Sequence, residues 1–312
     1  MLKFIRIDRN AALFIVLAGI IGLYLANTLP GFADSLEPMH FYAKVALAVF
    51  FFVIGLELKA EMTHGVFANR KSIIVPGMAA LVGALVPAAF YFSVTFSDPV
   101  ASTGWAIPMA TDITIALAVF ALFGSRMPKG SKQFLLAFAI IDDLLAILVI
   151  ALFLRSDVMT ALLVTGSAFI GLLVPAKAAE KFQYALQPLV SLAVLPFYAF
   201  TSLAVVLNST VTAAVTSIVG FGVIFGIFGK SIGITLGAYL GSKFTDDALK
   251  LSDYFRLSVV GGIGFTVAFF VNDIVFKGND EFHTQAIMAL LVAGTASVLL
   301  SAISLRWRVK RN

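Results

Sequence analysis

The sequence contains no cysteine and only three histidines among 312 residues. Without thiols there is no disulfide framework and no thiolate metal site. His40, His64 and His283 stand far apart, without the spacing of a metal-ligand set, and read as solvated loop residues. Charge is scarce, at 12% of residues, and no connecting segment is long enough to form a soluble domain. A phosphate loop is also missing. Gly229-Lys230-Ser231 resembles its tail, but position 224 is Ile where the first glycine belongs, and the stretch is apolar. An intramembrane aspartyl protease needs two carboxylates from separate helices sharing a proton. Asp142 with Asp112 would supply them, but the G-x-G-D type of motif is lacking, so no enzyme is expected.

What the chain has in excess is apolar surface. Hydrophobic residues make up 60% of it, and the mean hydropathy is +1.01. This is the composition of an all-α polytopic membrane protein. Ten apolar segments stand out, at about 11–29, 41–58, 72–96, 103–124, 133–154, 158–176, 185–207, 212–241, 257–276 and 284–305. The N-terminus resembles a signal peptide, but the apolar run reaches Leu29 without a small-x-small cleavage site, so a retained first span is expected. Of the 22 lysines and arginines, 18 fall on one set of alternate loops. Three (Lys44, Arg155 and Lys277) fall on the other, and Lys230 lies within a span. That asymmetry is the positive-inside pattern and predicts an even number of spans with both termini cytoplasmic. It also accounts for the net charge of +5 without nucleic acid; the partner is the lipid bilayer.

The fifth segment carries the chemistry. QFLLAFAIIDDLLAILVIALFL, residues 133–154, is uncharged except for Asp142 and Asp143, close to the membrane midplane. A carboxylate there costs roughly 2.5–3.5 kcal/mol on insertion scales, and a like charge beside it adds to that. A simple anchor would not carry them, so the pair reads as a cation or proton site. Asp112 lies in the fourth segment just after Pro108, which disturbs the helix, and beside Thr111, which can bond freed backbone groups. The bland alternative there is a proline-kinked helix with a neutral Asp. Gly261, Gly262 and Gly264 weaken the middle of the ninth segment; the alternative is tight packing by small residues. Lys230 is too deep to reach water easily and needs an acidic partner. Asp273 and Glu57 lie near segment ends.

These features share a geometry. The interrupted segments are each the middle of a trio, spans 3–5 and 8–10, and the trios run in opposite directions, as in an inverted repeat. Two discontinuous helices crossing at mid-membrane would bring their dipole ends together. Asp112 would offset the positive ends and Lys230 the negative ones. The expected organisation is one transporter domain, 1–312, with core spans at about 72–154 and 212–305 and a scaffold at 11–58 and 158–207.

The stretches MATDITIALAVFALFGSR, FLLAFAIIDDLLAILVIALF, FFVIGLELKAEM, FGKSIGI and GGIGFTVAFF closely resemble the NhaA family of Na⁺/H⁺ antiporters, in the same order along most of the chain. The resemblance implies broken, crossing helices in the bacterial cytoplasmic (inner) membrane. It implies export of cytoplasmic Na⁺ or Li⁺ in exchange for external protons, with no cofactor. Asp142 and Asp143 would bind the ion and protons, and Lys230 would pair with Asp142 in the proton-bound state. Thr111 and Asp112 would lie at the first break, and Glu57 near the cytoplasmic mouth. With two acids and a lysine, more than one proton per Na⁺, and so electrogenic exchange, is expected. Familiar members have twelve spans, so two appear missing between Arg155 and Lys177. The loop Pro30–His40 is too short for the β-hairpin through which some members dimerise, which leaves a homodimer open only by another surface. Acidic and histidine residues that the family associates with pH sensing near Pro188 read here as Gln183, Tyr184 and Gln187, so altered pH activation is expected. The alternative is a sodium-coupled symporter of an organic anion on a related fold, although no span holds an anion-binding arginine.

Overall fold

The structure is a computed structural model describing residues 2–64, 70–153, 158–207, 210–245 and 249–306. Leu154, the end of the fifth segment, and Arg155, Arg308, Lys310 and Arg311, counted in the charge reading, lie outside the described residues, as do the side chains of Lys3, Arg6, Arg9, His64, Arg70 and Lys71. Every described element is helical. The long helices are α1 (Leu2–Thr28), α3 (Glu37–His64), α4 (Arg70–Thr95), α6 (Ser131–Phe153), α11 (Ile218–Ser242) and α14 (Asp280–Arg306). A single turn, α2 (Phe32–Ser35), joins the first two. A continuous stretch, α8 (Ala176–Leu189), a wide π-turn over Val190–Val194 and α9 (Leu195–Ser202), forms another. Two further stretches are broken. A 3₁₀ helix (Ala101–Met109) and α5 (Ile113–Phe123) meet at 42°, and α12 (Leu251–Gly261) and α13 (Thr266–Val275) at 56°.

Among the described residues, seven helices are long and apolar enough to cross a membrane, and up to nine if each bent pair is one span. The tenth of the expected segments, the sixth along the chain, is present as a shorter apolar helix. There α7 (Val158–Leu173) has only 16 residues, about 24 Å at 1.5 Å per residue, short of the roughly 30 Å hydrocarbon layer. Apolar composition marked that segment, but composition does not register where the helix stops. The eighth segment also differs. It is split into α10 (Val211–Thr216) and α11 because Ser217 accepts from the Gly220 amide at 3.0 Å and starts a new helix. The loop Pro30–His40 holds a helical turn, and among the described residues there is no strand.

The breaks have local causes. Pro108 ends the 3₁₀ helix, and Ala110 turns to an extended conformation. In the second pair the chain leaves helix after Gly262 and resumes at Thr266. A Cβ at Gly264 would sit 2.9 Å from the Ala110 carbonyl oxygen, so a residue without a side chain is required where the two breaks touch.

Beside the breaks, α4 and α11 lie against each other at backbone distance. Gly222 faces Tyr91 and Thr95, Gly226 faces Pro87, Gly233 faces Val82, Gly237 faces Met78, and Gly241 faces Val75. As one chain rises in number the other falls, so the two helices are antiparallel. A Cβ on Gly237 would meet the Met78 carbonyl oxygen at 2.2 Å. Gly237→Ala is expected to destabilise the protein by about 1–3 kcal/mol through overpacking. Gly166→Ala, where nothing lies within 4 Å, is expected to be neutral. Thermal unfolding in detergent compares the two; equal midpoints would mean that the helices can move apart freely.

Candidate functional site

The two breaks cross in the middle of the bundle and bond to each other. The Asp112 amide donates to Ile263 O at 2.7 Å, and Thr111 Oγ1 donates to Gly261 O at 2.7 Å. One Asp112 carboxylate oxygen accepts from the Ile115 amide at 3.1 Å, capping α5. The other accepts from the Thr266 amide at 3.2 Å and from Thr266 Oγ1 at 2.5 Å, capping α13. One carboxylate thus stands at both half-helix N-termini, where the unsatisfied amides and the dipole favour negative charge. The opposite ends are met by donors. Lys230, from α11, donates to the Met109 carbonyl at the end of the 3₁₀ helix, and the Thr111 hydroxyl covers the end of α12.

Lys230 is fully buried and pairs with Asp142 at 2.9 Å. Asp142 and Asp143 are neighbours in α6, so their side chains leave the helix about 100° apart. The structure accordingly separates two residues that the sequence reading treated as one pair. Asp142 faces Lys230 and the crossing. Asp143 lines a cavity of about 20 Å³ together with Glu57, Thr114, Gln187 and Ser191. That space holds about one water. It suits a small dehydrated cation or a proton carrier and has no room for an organic anion, which weighs against the symporter alternative. Asp112 and Asp142 are committed to different partners, so the shared-proton dyad of a protease is absent from the pair proposed for it.

Gln187 Oε1 is buried without a hydrogen-bond partner. It lies in the last turn of α8, three residues before the widened turn that carries Ser191. Gln183 and Tyr184, named with it from the sequence, do not line this cavity. An apolar cavity of about 250 Å³ lies beside Ile263, Gly264 and Phe265, between α1, α5 and α14; it carries no charge and is no ion path. Gly261 and Gly262 both sit in close packing, against Phe138 and Ser231, so close packing and interruption coexist in this stretch.

Thr266 and Met109 were missed by sequence reasoning. For Thr266 a signal was legible: a threonine directly after the Gly-x-Gly break opens a half-helix, where a hydroxyl is favoured. Met109 contributes only backbone, which leaves no mark in a sequence. The histidines need a correction as well. His40 and His283 lie in the first turns of α3 and α14, not in loops. His283 Nε2 meets Asp273 at 2.8 Å, because that half-buried carboxylate needs donors.

Comparison with known proteins gives a consistent result. The family described as Na⁺/H⁺ antiporter 1 matches residues 3–183 and 169–305. A Na⁺/H⁺ antiporter NhaA of Vibrio cholerae serotype O1 is 32% identical over 367 aligned positions, covering 97% of this chain and 96% of the relative. Antiporters of the same name from Proteus mirabilis and Yersinia enterocolitica are 32% and 31% identical, over 97% and 99% of this chain and 95% and 98% of their own. The aligned positions outnumber the 312 residues here, so these relatives carry segments that this chain lacks.

Proposed function

The chain belongs to the NhaA family of Na⁺/H⁺ antiporters, and on that premise we propose that it exports cytoplasmic Na⁺ or Li⁺ across the bacterial inner membrane in electrogenic exchange for external protons. It is a multi-pass membrane transporter, not an enzyme. The observation that carries the mechanistic reading is the buried Lys230–Asp142 pair at the crossing of two broken helices, one residue from Asp143. In the proton-loaded site, Lys230 holds one proton against Asp142 and Asp143 holds a second. A cation that enters at Asp143 and draws Asp142 away from Lys230 displaces both protons, and Lys230 stays as the neutral amine. Two protons then move against one cation, which leaves a net charge transferred. Protons and cation occupy the same oxygens, so they exclude each other, and alternating access yields exchange instead of leak. Oxygen ligands suit a small hard cation, and Thr114 and Ser191, which line the Asp143 cavity, supply hydroxyls beside it.

We read the fold as an inverted repeat of spans 3–5 and 8–10, the core at about 72–154 and 212–305, held by a scaffold of 11–58 and 158–207. The antiparallel α4 and α11, with one broken helix following each, support that reading. Both termini are assigned to the cytoplasm on the 18-to-three charge split. The Glu57 cavity then opens the cytoplasmic path.

The test is proton movement in energised everted vesicles from antiporter-deficient cells, followed with a ΔpH dye. Na⁺ or Li⁺ is expected to collapse ΔpH, and K⁺ is not. No response over about pH 6.5 to 9, with the protein present in the membrane, overturns the reading. Glu57→Gln is expected to raise the half-saturating Na⁺ concentration about tenfold by removing a charge that concentrates cations at the mouth, with the maximal rate within about twofold. The same vesicles measure it. An unchanged half-saturation would put Glu57 off the cation path.

A further inference from the structure

One half-buried acid plays no part in exchange at the crossing. Asp273 lies two turns along α13 from Thr266. Its Oδ2 accepts from Tyr198 Oη at 2.6 Å and from Ser202 Oγ at 3.0 Å, both on α9. Its Oδ1 faces His283 Nε2, on α14, at 2.8 Å. The Asp273 side chain is 13% exposed and that of His283 21%, so both are half-buried and keep some access to the surface. His40, on α3, lies within electrostatic reach of both, and Lys44 and Glu37 of that helix act on His40 in turn. Asp280 and Glu281 share the first turn of α14 with His283.

This cluster lies at the opposite end of the bundle from the Glu57 cavity. Along α3, His40 and Glu57 are separated by about 25 Å at 1.5 Å per residue. Along α8 and α9, Gln187 and Ser191 line the cavity, while Tyr198 and Ser202 reach Asp273. Between the two ends is an aromatic layer. The Phe51 and Phe270 rings are 5.7 Å apart, and those of Tyr198 and Phe270 are 6.2 Å apart. All three side chains are fully buried. A carboxylate, an imidazole and a phenol thus sit together on the far side of an apolar seal.

We propose that the Asp273–His283 pair is a proton-binding site at the mouth opposite Glu57, where the protons exchanged for cation first bind; this rests on the exchange reading above. The pair suits the task chemically. In the tautomer with the proton on Nε2, which donates to the facing carboxylate, Nδ1 is the position that takes a proton from water. The imidazolium formed is neutralised by Asp273, whose other oxygen is already held by Tyr198 and Ser202.

The experiment uses the full chain in proteoliposomes of known orientation. The pH on the Glu57 face is fixed, and the pH on the His283 face is varied over about 5.5 to 8.5. The wild type is expected to show a step in exchange rate on the varied face. His283→Gln keeps a hydrogen-bond donor and loses titration. It is expected to flatten that step at least threefold, with half-saturating Na⁺ at the Glu57 face unchanged. Superimposable wild-type and His283→Gln profiles overturn the proposal. A second measurement does not depend on a variant folding. With three histidines in the chain, ring proton resonances of the wild type in vesicles are followed against pH. One that titrates from the His283 face, and is absent in His283→Gln where that variant folds, supports the site; none titrating from that face overturns it. If the wild type exchanges nothing, the exchange reading fails by itself, and the titration still decides whether the pair binds protons.

Discussion

Asp142→Asn is expected to abolish Na⁺-dependent proton movement and to destabilise the protein at the same time. The carboxylate is both the cation ligand in our reading and the partner of a fully buried ammonium at 2.9 Å. Loss of a direct ligand should exceed the roughly 10–100-fold that changes behind the ligands cost in metal sites. Removing one member of a buried ion pair leaves the other uncompensated, at about 3–5 kcal/mol. The two effects separate with further variants. Asp142→Asn combined with Lys230→Met should recover most of the stability and none of the transport. Asp143→Asn should lose transport with little change in unfolding, since Asp143 holds no buried lysine. Vesicle ΔpH assays and thermal unfolding read the two quantities. An Asp142→Asn protein with wild-type exchange would sink the proposed mechanism.

Asp112→Ala should be the most damaging change that touches neither Asp142 nor Asp143. It removes the acceptor for two half-helix amides and the Thr266 hydroxyl. Each hydrogen bond to a charged group contributes about 1.5–3 kcal/mol, and the carboxylate also balances the positive ends of α5 and α13. A loss of about 3–6 kcal/mol follows if two such bonds go unreplaced, together with loss of exchange, because the crossing is no longer held. Asp112→Asn keeps one oxygen and should fall between Ala and wild type. Thr266→Val removes only the hydroxyl and should cost about 1–2 kcal/mol. If Asp112→Ala unfolds at the wild-type temperature, the crossing is held by packing alone.

Much of this site is written locally in the sequence. Two aspartates amid nineteen apolar residues, a proline before Asp112, a glycine run and a lone buried lysine each break a local rule. Such violations are where function is found. What the sequence withheld is orientation and partnership. Asp142 and Asp143 are adjacent in the chain, yet one faces Lys230, 88 positions away, and the other faces Glu57. Asp273 reads as an interfacial residue until α9 brings Tyr198 and Ser202 to it. Hydropathy located the sixth segment without revealing its length, since a window average spreads the apolar signal past the helix end. The glycines facing α4 from α11 read as possible packing in general, but not with a particular neighbour. The two-part family match, meeting at 169–183, is consistent with the missing spans expected between Arg155 and Lys177.

The short α7 has a consequence for the surrounding lipid. Its outward row, including Met159, Leu162, Phe169, Ile170 and Leu173, is more than half exposed and apolar. It covers only about 24 Å of a hydrocarbon layer near 30 Å. The bilayer beside it must thin locally or leave polar ends in contact with acyl chains, at a fraction of a kcal/mol per Å of mismatch. That strain falls on one flank of the protein, where α7 packs at backbone distance on α3 through Gly55 and Gly171. Helix α3 also carries Glu57. Lipids with shorter chains are expected to match α7 better and to ease the mismatch on the flank where it packs against α3.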